Sequence, residues 1–364
     1  MVKLAFVGAG QMAMTHIKNL GKAPGVEVKA ICDPSPVALE RARRVARANT
    51  YGDLGEMLGE EGDLDAAFVC VPISAHGELE EVLAEKGLGL FIEKPLPPDP
   101  DTSRRVMRAL DRSGVISSVG YHWRYGEATE RARREMVGRT VGMVLGYWLT
   151  YLPGQSWWTS RDQNPAQIYE QTTHLFDLAR YLVGEITEVS SMAEMRCMGE
   201  VSEIEDVSTV SIRFENGAIG NISSTYMISY RHLHGLTRLL FSGNTLLRKL
   251  AWGTRNLGLW SPGHDTNSFR IGLEIILRDL VLLVRQGSLV TTRENRQERY
   301  VARTDPYLLE SRAFVEAVER GDPSRIRSTY GDAARTHRVV VSAIRSASTG
   351  EKVRIDPGES PFQP

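Results

Sequence analysis

Residues Ala5–Ala13 read AFVGAGQMA, a short apolar run that breaks at two glycines and then resumes with helical spacing. In the pattern Gly8-x-Gly10-x-x-Ala13 each small residue has its own task. Gly8 permits a tight strand-to-helix turn, Gly10 lets a ligand approach the backbone, and Ala13 lets the helix lie close on the strand. The helix opening at Gln11 and Met12 presents unbonded N–H groups, which suit a phosphate. The next apolar run ends in Asp33, twenty residues after Ala13, where an acid bonds the ribose hydroxyls of a dinucleotide. An acid there repels the extra phosphate of NADP, so NAD is the expected cofactor; nearby Arg41 keeps NADP as the less favoured choice.

Outward from this turn, apolar runs recur at Leu4–Val7, Val26–Ile31, Ala66–Val71, Leu88–Ile92 and Val115–Val119, with helical patterns at 12–21, 35–47, 75–86 and 101–113 between them. Such alternation predicts an α/β fold whose doubly wound parallel sheet is covered on both faces. Ligands of such sheets bind beyond the carboxyl ends of the strands. Two stretches fall there: Val71 and Pro72 with His76 a few residues on, and Glu93-Lys94-Pro95. His76 reads equally as a cofactor contact or as a capping or surface residue, and Lys94 as a solvated charge or a cation aimed at the cofactor.

Past residue 122 the rhythm changes to a charged helix (127–137) and longer alternating stretches, two of them joined through Glu215-Asn216-Gly217-Ala218 as a hairpin. The expected division is a dinucleotide-binding domain over 1–122 and an α/β domain with an open, mostly antiparallel sheet over 123–364. The apolar run 272–284, interrupted by Arg278 and Asp279, is too short to span a bilayer and reads as a buried helix.

A net charge near −1 over 364 residues gives no pull toward nucleic acid or an acidic membrane. The three cysteines, Cys32, Cys70 and Cys197, lack metal-ligand spacing and fit a reducing cytoplasm, and no metal is expected. The opening residues do not resemble a secretory signal.

Within 169–182, YEQTTHLFDLARYL, a helix at about 100° per residue places Glu170, His174 and Asp177 together beside an apolar stripe. They face either solvent or a cleft, and the segment alone leaves both open.

These motifs, with His122 and Arg124 in VGYHWRY and the acid-histidine-aspartate helix, occur in the order and spacing of the Gfo/Idh/MocA oxidoreductases, which this chain resembles over nearly its whole length. The resemblance implies a Rossmann domain followed by a second domain whose sheet builds homodimers or homotetramers. It implies hydride transfer between NAD(P) and a secondary hydroxyl or ketone of a sugar, cyclitol or related polyol. Lys94 and His174 then match the active-site lysine and histidine, with Glu170 and Asp177 orienting the imidazole. Gly8, Gly10, Gln11, Met12, Ala13, Asp33, Val71, Pro72, His76, Glu93, Lys94, Pro95, His122 and Arg124 fall on the cofactor side. Trp157, Trp158 and Arg161 join Lys94 and His174 on the substrate side, although two tryptophans also suit a loop anchored on a core. Pro165-Ala166 and Thr172 stand where relatives usually carry glycines, which points to a reshaped pocket. Within the family the alternatives are a glycosidase or lyase working by transient oxidation and a non-catalytic dinucleotide-sensing regulator.

Overall fold

The computed structural model describes residues 1–21, 23–152, 158–161, 163–196, 199, 202–227, 270–294 and 296–359 of the 364. Two compact units emerge, one of Met1–Gly126 with Pro306–Arg338 and Pro357–Pro364, the other of Glu127–Asp305 with Val339–Asp356.

In the first unit β1 (Val2–Val7) leads into α1 (Gln11–Leu20), β2 (Val26–Cys32) into α2 (Pro36–Arg43), and β3 (Asn49–Tyr51) into α3 (Leu54–Glu60). Then β4 (Ala66–Val69), α4 (Glu78–Glu85), β5 (Gly89–Ile92), α5 (Pro100–Ser113) and β6 (Ser117–Val119) follow. The six strands are parallel, in the order β3-β2-β1-β4-β5-β6, so the winding reverses between β1 and β4. That switch point opens the crevice where dinucleotides bind such sheets. The expected helix over 75–86 begins only at Glu78, because Gly77 at φ +126 breaks it. The strand β3 and helix α3 had no counterpart among the apolar runs read from the sequence.

Each face of this sheet has its own core. One packs Leu83 of α4 and Val106 of α5 with Tyr330, Ala333 and Ala334 from the start of α9 (Tyr330–Thr349); here α8 is the helix Pro306–Arg320. The other stacks Phe6 on Phe68 and Phe68 on Phe91, with centroids 4.8 and 4.6 Å apart, and Phe314 of α8 meets both Phe68 and Phe91 edge-on. A segment about three hundred residues downstream of the nucleotide motif thus completes that motif's own sheet, which the simple alternation of the first 120 residues does not foreshadow.

The second unit contains α6 (Glu127–Met136), β7 (Val141–Leu149), α7 (Thr173–Val183), β8 (Ile186–Glu194), β9 (Val207–Phe214) and β10 (Ile219–Thr225). Beyond these come β11 (Arg270–Leu277), β12 (Leu280–Arg285), β13 (Ser288–Arg293), β14 (Arg296–Val301) and β15 (Val353–Arg354). Among the described residues they form one nine-stranded sheet, β14-β13-β12-β11-β7-β10-β9-β8-β15, antiparallel throughout except for the β7/β10 pair. The β9-β10 hairpin forms through the Asn216-Gly217 turn as expected.

The run 272–284 is not a helix. It is the hairpin β11-β12, with Arg278 and Asp279 exposed at its turn. The reason lies in its period: Leu273, Ile275, Leu277, Leu280, Leu282 and Val284 are all buried at alternate positions on either side of the charged pair.

Candidate active site

The nucleotide turn is built as the motif requires. Gly8 has φ +93, and a Cβ there would lie 2.3 Å from the Cys70 carbonyl oxygen and 3.3 Å from Val71. Gly10 differs: a Cβ on it meets nothing within 4 Å. Packing therefore does not require glycine at this position, and the open space over it is what a pyrophosphate needs. Gly10 caps α1 without a side-chain hydrogen bond, so the amides of Gln11, Met12 and Ala13 remain available to an anion. Asp33 accepts from the Ala9 N–H at 2.7 Å and the Ser35 N–H at 2.8 Å, which fixes its carboxylate beside the turn. Arg41 donates to the Ala9 carbonyl at 2.8 Å. The residues present fit a dinucleotide.

At the end of β4, Val71 and Pro72 precede a 3-10 turn (Ile73–Ala75). His76 is buried, and its Nδ1 pairs with Glu80, whose other oxygen accepts the Gly77 N–H at 2.6 Å. The histidine thus joins the α4 cap, one of the roles its position allowed, and its burial removes the surface reading.

Glu93 follows β5 directly and lies in a buried cluster. Its Oε1 lies 2.8 Å from His16 Nε2, and His16 Nδ1 lies 2.7 Å from the Ser311 hydroxyl. Ser311 spends its single proton on the Tyr307 carbonyl at 2.7 Å, so toward His16 it accepts. Nδ1 is then the donor to Ser311, and Nε2 faces the Glu93 carboxyl group. Ligand atoms of His16, Glu93 and Glu310 fall within 4.8 Å of one another, but both imidazole nitrogens are committed to hydrogen bonds. The cluster is a hydrogen-bonded network whose imidazole has no nitrogen left for a metal. Lys94 follows directly, joined to Pro95 by a cis peptide.

His122, in the 3-10 turn His122–Tyr125, stacks on Tyr307 with centroids 3.9 Å apart. Burial, then the charges of Lys94 and His16, hold its imidazole well below the usual histidine range, so it is neutral at pH 7. Arg124 is buried, paired with Asp332 and donating to the Arg327 carbonyl, and in return Arg327 donates to the Arg124 carbonyl at 2.6 Å. Arg124 therefore anchors its own turn.

In the second unit the regular helix expected over 169–182 opens instead as a π-helical turn, Ile168–Thr172, which passes into α7. Such wide turns recur at functional sites. Glu170, His174 and Asp177 are 8%, 5% and 0% exposed, which removes the solvent-facing alternative. The His174 ring lies nearly parallel to Trp148 of β7. Tyr226, just past β10, is fully buried, and burial followed by the Glu170 charge pushes its phenol well above its usual value. Sequence reasoning did not single out Trp148; an isolated aromatic in a strand carries no local signal of its partner.

Trp158 is half-buried, and its carbonyl accepts from Asn164 at 3.2 Å. Arg161 donates to the Glu203 carbonyl at 2.6 Å and to Glu205 at 3.0 Å, which ties down its loop. Trp157 lies outside the described residues, as do Gln155, Cys197, Tyr230, His232 and His234.

A doubly wound domain with a dinucleotide turn, continued by a sheet domain carrying a buried acid-histidine-aspartate helix, defines a class of nicotinamide-dependent oxidoreductase. Residues 2–121 match the NAD-binding Rossmann fold of the Gfo/Idh/MocA oxidoreductase family and residues 125–245 match that family's C-terminal domain. The chain belongs to this family, and its first domain is an NAD-binding Rossmann domain. It is 27% identical over 369 residues to the uncharacterized oxidoreductase YrbE of Bacillus subtilis strain 168, covering 96% of this chain and 95% of the relative. It is 25% identical over 377 residues to scyllo-inositol 2-dehydrogenase (NAD(+)) of the same organism, covering 98% and 96%. An oxidoreductase from Agrobacterium radiobacter, solved with NAD+, L-tartaric acid and magnesium, superposes with a TM-score of 0.76 at 16% identity, over 97% of this chain and 98% of that one. At that identity the likeness is one of fold.

Proposed function

We propose that this protein is an NAD-dependent dehydrogenase acting on a secondary hydroxyl of a sugar, cyclitol or related polyol. The observation that carries the reading is a buried imidazole flanked by two carboxylates, Glu170 and Asp177, in a chain that also holds a complete dinucleotide cradle. The cyclitol dehydrogenase among its full-length relatives supports the substrate class. Bound NAD supplies a hydride acceptor. His174 takes the hydroxyl proton as the alcohol becomes a carbonyl, and Lys94 donates a hydrogen bond to the same oxygen as negative charge gathers there. Glu170 and Asp177 favour the imidazolium that results. His122, neutral and packed on Tyr307, adds no second charge beside Lys94.

NAD is preferred over NADP because Asp33 is fixed where the adenine ribose would bind, while Arg41 is occupied by the turn carbonyl. The second domain's sheet builds a homodimer or homotetramer. On its open face Met143, Leu145 and Ile219 are 39%, 36% and 44% exposed, and Ile219 pairs in register with Met143. Free buried thiols at Cys32 and Cys70 support a cytoplasmic setting. Among the described residues no helix is long and apolar enough to cross a membrane.

A panel of sugars, cyclitols and sugar acids, assayed for NADH formation with NAD and NADP in parallel, tests substrate class and cofactor together. Lys94→Ala lowers kcat by about 100-fold or more while NAD binding, followed by nucleotide fluorescence quenching, persists. Substantial turnover in that variant refutes the role given to Lys94, and failure of every polyol to reduce NAD refutes the activity.

A further inference from the structure

The centroids of Trp148 and His174 are 5.9 Å apart and their planes meet at 15°, an offset parallel stack. Strand alternation explains how Trp148 reaches the imidazole. Along β7, Val144 and Gly146 are buried and Met143 and Leu145 exposed, so Trp148 shares the covered face and Tyr147 the open one. The charges of β11 lie with Tyr147, whose hydroxyl meets Glu274 at 3.5 Å and whose ring carries the Arg270 guanidinium at 5.6 Å. On α6, Arg133 is directed to the Tyr181 hydroxyl at 3.0 Å and to Glu130 at 3.7 Å, and at the far end of α7 Arg180 pairs with Glu185 at 2.7 Å. Among the described residues of this unit, Glu170 and Asp177 are buried on the same helical segment as His174, and the charge of Glu170 acts on the buried Tyr226, whose phenol is held protonated.

We propose that Trp148 is a positioning residue for His174, its indole fixing the plane of the imidazole and stabilising the imidazolium formed when that ring accepts the substrate's proton. This deepens the catalytic reading of His174 and rests on it. The face of an indole carries negative potential and is the strongest aromatic partner for a cation. A neutral ring gains far less from it, so the stack stabilises one protonation state over the other. It also limits rotation of a side chain whose nitrogen must meet a hydroxyl in one orientation.

Proton NMR titration of the imidazole resonances tests this without relying on turnover. The His174 signal, one among eight histidines, is assigned by its loss in His174→Gln. Removing the aromatic face destabilises the charged form, so Trp148→Leu lowers the His174 midpoint by about half a pH unit; Trp148→Phe keeps most of the original value. Trp148→Met gives the same non-aromatic comparison should the leucine variant fail to fold. Because the base must be neutral to accept a proton, the acid limb of kcat/KM moves to lower pH by the same amount. A midpoint unchanged in the non-aromatic variants overturns the proposal, even where His174→Gln is inactive and the base assignment stands. Full activity in His174→Gln overturns the base assignment and this proposal with it.

Discussion

Gly8 and Gly10 stand two residues apart in one motif, yet the fold needs only the first. An alanine at Gly8 combines a left-handed backbone, costing about 1–3 kcal/mol, with a Cβ 2.3 Å from the Cys70 carbonyl oxygen. Gly8→Ala is expected to lower the melting temperature sharply or abolish soluble protein. Gly10→Ala, with nothing within 4 Å of its Cβ, should melt within a few degrees of the parent and lose NAD affinity instead. Thermal unfolding and nucleotide titration of both variants check the contrast; equal stability losses would mean that Gly10 is structural after all. The chemistry of these residues was legible because the motif is local. The partner of Glu93 was not, since His16 lies 77 residues away and the Ser311 that orients it a further 295 from His16. The same limit applies to His76, whose proximity to a strand end suggested a cofactor contact while Glu80 was already within hydrogen-bonding reach.

At the scale of elements, periodicity served where one face was plainly buried and misled where apolar residues filled both. The hairpin over 270–285 buries its alternate residues, but the intervening Glu274, Val281 and Leu283 are themselves half-buried, which blurred the period of two into an unbroken apolar run. The short β3 and α3, with one buried residue apiece, carry too little pattern to be seen. The helix of His174 was correctly placed, whereas its π-helical first turn left no trace in the spacing. Glu127 shows how an element end is secured: at the start of α6 it accepts from the Tyr300 hydroxyl and the Arg303 amide, tying the edge strand β14 to the helix. Hydrogen bonds from Thr304 and Tyr300 lower its pKa to about 2. A carboxylate depressed in the folded state stabilises above its unfolded value and loses that contribution as pH falls through the folded one. Stability should therefore decline on acidification from about pH 4.5 toward 2 through this group, and Glu127→Gln should flatten the decline. Melting temperatures of both proteins across that window decide it; parallel curves would assign acid sensitivity elsewhere.

For the whole molecule, the open face of the nine-stranded sheet is where assembly is expected. Leu145→Glu sets a charge in the middle of the Met143–Ile219 stripe and should shift sedimentation from the assembled species to the monomer without altering the far-ultraviolet circular dichroism. An unchanged sedimentation coefficient would place the contact on another surface. The phenylalanine ladder bears on how the chain reaches its native state at all. Phe68 and Phe91 are covered by Phe314, so part of the layer that shelters them is translated more than two hundred residues after them. While the ribosome is still extending the middle of the polypeptide, the nascent nucleotide-binding half has α1 and α2 on that face but lacks the cover that Phe314 gives to Phe68 and Phe91. This region is therefore a natural client for a holding chaperone during synthesis, and its maturation awaits the arrival of the closing helix rather than the end of its own opening stretch.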